Sequence, residues 1–156
     1  MVAPSGRSQI TLHSCRDRAI GVIPIRLALG LALLGAARLA GAPNGSALLA
    51  FVVGVFGITF VIFNDPRARF VRGELEPLDA PPHAEIAPRW RQALAATLPS
   101  TVAVAVLACA ALVPQPTLAA LLAGVEAGLG AAALLSLGRI DPKLYVDPRS
   151  DVVYRR

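Results

Sequence analysis

Four long apolar segments alternate with polar segments along the chain. The apolar segments cover residues 19–41, 46–63, 93–113 and 117–138. An α-helix needs about 20 apolar residues to cross the hydrocarbon core of a bilayer. We therefore predict an all-α fold, a four-helix transmembrane bundle.

The connections between these segments differ in length and composition. Residues 43–45 and 114–116 form short turns rich in Pro, Asn and Gly, whereas residues 64–92 form a polar linker with several acids and prolines. Short connections make consecutive helices neighbours, so we expect two helical hairpins. The predicted organisation is an N-terminal tail at 1–18, a membrane domain at 19–138 and a C-terminal tail at 139–156.

Composition and charge agree with a membrane protein. Hydrophobic residues make up 55% of the 156 and charged residues 16%, below the roughly 25% of average soluble domains. All Lys and Arg except Arg26 and Arg38 fall in the tails and the linker, so both termini are expected in the cytoplasm. The Ala, Gly, Pro and Arg bias with a single Lys favours a bacterial plasma membrane protein.

The first apolar segment has a second interpretation. Its uncharged part, residues 27–37, has the length of a signal-peptide h-region, and residues 40–42 are small enough for a cleavage site. A retained helix is the preferred prediction, because the preceding polar segment is long for a signal peptide.

Two charged residues interrupt the predicted spans. Glu126 lies near the middle of the fourth, and Arg26 lies within the first. A charge near the bilayer centre costs at least about 2.5–3.5 kcal/mol, so such residues face other helices, water or an opposite charge. We predict an ion pair between Arg26 and Glu126. Its role is either structural pairing or the movement of a proton, ion or solute.

Hydroxyl side chains in the same half of the predicted bundle suggest a polar pocket. They are Thr59, Thr97, Ser100 and Thr101. The alternative for the three on the third helix is that they bind backbone groups freed by Pro99. Gly124 and Gly128 form a GxxxG pattern, which predicts close helix packing around Glu126.

The first helix carries a partial family likeness. Residues 25–30 together with Gly35 and Arg38 resemble the opening helix of the DoxX family of four-span bacterial membrane proteins. We infer no function from this resemblance.

The sequence lacks the common signatures of catalysis and cofactor binding. It contains no phosphate-binding glycine loop, no nucleophile elbow, no metal-ligand spacing and no basic stripe with interleaved aromatics. We therefore expect no enzyme activity, no cofactor, no metal and no nucleic-acid partner. The predicted function is association through helices with itself or a membrane partner within the lipid bilayer. The alternative is a small proton- or ion-coupled transporter or channel that uses Glu126, with Arg26 as its counter-charge.

Overall fold

The computed structural model describes residues 11–65, 77–81, 84–147 and 152–155. Within the third long helix, the side chains of residues 89, 93 and 95–97 lie outside this description. The described chain is mostly helical, with five short strands.

Four long helices form the bulk of the structure. They are α1 (Cys15–Leu39), α2 (Asn44–Asn64), α3 (Arg89–Ala111) and α4 (Pro116–Leu137). The N-terminus of α1 is capped by the Ser14 side chain, which accepts a hydrogen bond from the Asp17 amide, so this helix begins earlier than predicted. Gly41 has φ +103° and makes the tight turn into α2.

Three of these helices, α1, α2 and α4, are long and apolar enough to cross a membrane. The apolar stretch of α3, Leu98–Ala111, is shorter. A helical chain with spans compatible with a membrane protein is thus supported, whereas the count of four spans is not confirmed.

The helices are arranged around α4. Each of α1, α2 and α3 packs against α4, and α1 also packs against α3, while α1 and α2 contact each other little. The predicted bundle of two helical hairpins is therefore not confirmed. Small residues on α4 explain the arrangement, because they let a neighbouring backbone approach from more than one side.

The strands form a small mixed sheet. They are β1 (Thr11–Ser14), β2 (Leu78–Asp79), β3 (Glu85–Ile86), β4 (Leu144–Val146) and β5 (Val153–Arg155). Their order is β2-β5-β4-β1-β3, with β4 antiparallel to β1 and β5, and with parallel pairs at both edges. The purely helical prediction is wrong in this respect. The segments predicted as polar tails and linker pair with one another instead.

The sheet is joined to the bundle by a small apolar cluster. Cys15 and Ala19 of α1 pack with Ile140 and Leu144, which follow α4. His13 on β1 is also buried. The described parts of the two tails are consequently fixed against the same end of the helices.

Candidate functional site: a buried charge pair beside a cleft

Glu126 and Arg26 meet inside the bundle. Glu126 lies at the middle of α4 and is 0% exposed, and Arg26 is 5% exposed. The Arg26 Nε lies 3.9 Å from the Glu126 Oε1. Because α1 begins at Cys15, Arg26 lies close to the middle of its helix, at the level of Glu126.

Two hydroxyls of α3 complete this polar cluster. The Arg26 Nη2 donates to the Ser100 Oγ at 2.5 Å, and the Thr101 Oγ1 donates to the Glu126 Oε1 at 2.7 Å. These two hydroxyls therefore hydrogen-bond the charged groups. The alternative prediction was that they bind only backbone groups freed by Pro99. The cluster links α1, α3 and α4 at one depth.

Hydrogen bonding within the cluster is incomplete among the described residues. The Arg26 Nε and the Glu126 Oε2 are both buried without a hydrogen-bond partner there. Buried polar atoms without partners carry a desolvation cost of about 1–3 kcal/mol, and more when they are charged. The Oε2 is chemically able to bind a proton or a cation.

Thr59 makes its described hydrogen bonds away from this cluster. The Thr59 Oγ1 donates to the Val55 carbonyl on its own helix at 2.7 Å and to the Gly128 carbonyl on α4 at 3.3 Å. It thus ties α2 to α4. The side chain of Thr97 lies outside the part of the structure described.

The glycine pair of α4 packs against α2. A Cβ at Gly124 would overlap the Phe51 carbonyl, and one at Gly128 would lie 2.7 Å from the Val55 carbonyl. Gly54 of α2 is equally close to α4, where a Cβ would lie 2.9 Å from the Val125 amide nitrogen. The GxxxG pattern is therefore used within the chain.

A cleft of about 380 Å³ adjoins the charge pair. Residues of α1 and α4 line most of it, and Ile62 of α2 lines the remainder; the full set is Cys15, Arg18, Ala19, Val22, Arg26, Ile62, Leu129, Ala132, Ala133 and Ser136. The sequence did not predict that Cys15, Arg18 and Ser136 line a common cavity. The available signal was their helical spacing from Arg26 and Leu129, but it does not show which helix faces which.

The described residues contain no group of three or more His, Cys, Asp or Glu side chains placed to hold a metal ion. Both cysteines are free, Cys15 being buried and Cys109 exposed. Comparison with known protein families, curated proteins and solved structures found no match to this chain.

Proposed function

We propose that this chain is a four-span protein of a bacterial plasma membrane, with both termini cytoplasmic and no catalytic activity. It acts by helix-mediated association with itself or with a membrane partner. The first helix is retained in the mature protein, where it supplies Arg26 to the bundle.

The sheet supports this topology. Strand β1 precedes α1, β2 and β3 lie between α2 and α3, and β4 and β5 follow α4. All strands of one sheet lie on the same side of a membrane. The chain therefore has to cross the membrane in α1 and return in α2, and then cross in α3 and return in α4. On this reasoning α3 crosses together with α4, although its apolar stretch is short. The basic residues of the tails and linker favour the cytoplasm for that side.

The proposal of association is based on the outer face of α2. Only Ala47 and Gly54 of this helix are buried, whereas Phe56 is 71% and Phe60 70% exposed. Together with Leu49 and Val53, these phenylalanines form an exposed stripe spaced at alternating intervals of four and three residues. This spacing is typical of helices that pack at small crossing angles, including those in membranes.

Energy transfer between donor- and acceptor-labelled copies in vesicles, measured while the lipid-to-protein ratio is raised, tests self-association. We expect transfer to persist on dilution and to be lost in Phe56→Ala/Phe60→Ala. The matched control is Leu48→Ala/Val61→Ala, which shortens two exposed residues outside the stripe. Copurification from native membranes identifies a heterologous partner by the same dependence on Phe56 and Phe60. Association that is absent, or equally strong in all variants, would reject the proposal.

A second candidate function is proton- or ion-coupled transport. It is favoured by the unpartnered Glu126 Oε2 and by the position of Arg26, which both pairs with Glu126 and lines the cleft. In this mechanism Glu126 binds a proton or cation and Arg26 is the counter-charge.

Flux into proteoliposomes distinguishes the two candidates. Transport predicts that Glu126→Gln abolishes proton or cation flux while the protein remains folded and monodisperse. The control is Thr59→Val, which alters an intramembrane hydroxyl away from the charge pair. Flux that is unchanged by Glu126→Gln, or absent from the native protein, rejects transport.

A further inference from the structure

We propose that the cleft beside Arg26 binds one anionic phospholipid of the leaflet that adjoins the sheet. One acyl chain lies along the apolar walls, and the phosphate contacts Arg18 at the mouth. This inference rests on the membrane location in the proposed function, but not on association.

The shape of the cleft follows from the arrangement of the helices. Because α1 and α2 both pack on α4 and contact each other little, a groove remains between them with α4 as its floor. Ala132 and Ala133 form part of that floor, and Ala19 and Val22 form a wall. Small side chains at these positions leave the volume unfilled.

The length of the groove matches one leaflet. Its lining on α1 extends from Cys15 to Arg26, which is roughly 16 Å at about 1.5 Å of rise per residue. Half of a hydrocarbon core about 30 Å thick is roughly 15 Å. The groove therefore has the length of an acyl chain that begins at the interface and ends near the bilayer centre.

The charges at its two ends differ. At the deep end, Arg26 is compensated by Glu126. Near the mouth, Arg18 lines the cleft together with Cys15, and it lies close enough to His13 to act on it electrostatically. Arg139, two residues beyond the end of α4, has its guanidinium 5.7 Å from the ring of Phe63, the residue that follows Ile62.

The first acid after α4 in the sequence has a partner of its own. The Asp141 carboxylate is paired with Arg155 at 2.9 Å. An apolar groove with the Arg18 guanidinium at its interfacial end matches an anionic phospholipid, since basic pockets between membrane helices bind such headgroups. A zwitterionic lipid adds a positive charge next to this arginine.

Native mass spectrometry of the full chain in micelles doped with phosphatidylglycerol or phosphatidylcholine tests the proposal. We expect one retained phosphatidylglycerol in preference to phosphatidylcholine. Loss of a charge-assisted hydrogen bond in Arg18→Gln is expected to lower this retention by about tenfold. Arg16→Gln removes the same charge from an exposed residue two positions away and is expected to leave retention within about twofold.

A second set of variants tests the proposal by filling the groove. Ala133→Phe is expected to abolish retention of both lipids, whereas Ala28→Phe, at an exposed position of α1, leaves it unchanged. If Ala133→Phe does not fold, Ile62→Phe narrows the groove from the opposite wall. Equal retention of the two lipids, equal loss in Arg16→Gln and Arg18→Gln, or retention in the filled variant overturns the proposal. Displacement of the lipid by inorganic phosphate alone assigns the site to a soluble anion and overturns it too. Failure here leaves the energy-transfer assay of association unaffected.

Discussion

The helical bundle and the sheet each contain an ion pair. The pair in the bundle is longer and buried, and the pair at the sheet is shorter and more exposed. Arg26 and Glu126 lie 3.9 Å apart in the bundle with side chains 7% and 0% exposed. Arg155 and Asp141 lie 2.9 Å apart at the sheet with side chains 59% and 33% exposed. The shorter pair is the more solvated one.

Burial, and not distance, decides what each pair contributes. Water solvates either partner of an exposed pair when the other is removed, so the pair contributes little. A buried partner left alone keeps an uncompensated charge in a medium of low dielectric. We therefore expect the bundle to depend on its pair far more than the sheet does.

The largest effect is expected from separating the buried pair. Arg26→Leu leaves the Glu126 carboxylate unpaired and is predicted to lower the free energy of unfolding by about 3–5 kcal/mol. Unfolding in detergent mixtures, followed by circular dichroism, measures this change. Arg38→Leu is the control, because Arg38 is exposed and binds Asn44.

A double substitution sharpens the same test. Arg26→Leu/Glu126→Leu removes both charges and is expected to restore most of the lost stability, since apolar replacements of a buried pair are often neutral. If the double variant were as unstable as Arg26→Leu, a purely structural role for the pair would be excluded.

The next largest effect is expected at the contact of α2 with α4. Gly54→Ala places a methyl group against the α4 backbone and is predicted to cost about 1–3 kcal/mol. Gly57→Ala, on the same helix with open space around it, is expected to be neutral or slightly stabilising. Equal stabilities of the two variants in the same unfolding assay would contradict the close contact.

The sheet is predicted to respond to pH through His13. Burial and the nearby Arg18 hold the pKa of His13 below its usual 6.5, while Asp147 acts in the opposite direction. As the pH is lowered, His13 takes up a proton in the unfolded chain at a higher pH than in the folded one. The contribution of His13 to stability is therefore fully present above pH 6.5 and is lost as the pH falls through that value. Hydrogen exchange of the strand amides measures the change. His13→Val is expected to remove this pH dependence of stability, because the titrating group is gone. His83 is present in both proteins, so its contribution cancels in the comparison.

The smallest effect is expected from the exposed pair. Hydrogen bonds from the Lys143 amide and from Arg155 lower the pKa of Asp141, but both side chains of the pair remain solvated. Arg155→Gln is predicted to change the unfolding midpoint by little more than the error, and by nothing measurable at high salt. A loss of stability in Arg155→Gln as large as that in Arg26→Leu would contradict the conclusion that burial decides what each ion pair contributes.

The parts that sequence predicted are those set by long local patterns. Runs of about 20 apolar residues identify α1, α2 and α4, and a lone acid within such a run requires a partner, for which Arg26 was the available choice. The strands were missed because segments of two to four residues carry no usable periodicity. Their stability depends on partners distant in the chain, such as Thr11 with Glu85.

The sequence by itself therefore determined the apolar helices and the need of Glu126 for a partner, because hydrophobicity and charge act residue by residue. The tertiary structure decided that α4 lies between the others, that Gly124 and Gly128 pack within the chain, and that Thr59 lies apart from the charge pair. It also brought Arg18 and Ser136 to one cleft. These features depend on which helix faces meet, and helix faces meet through packing between segments that are far apart in sequence.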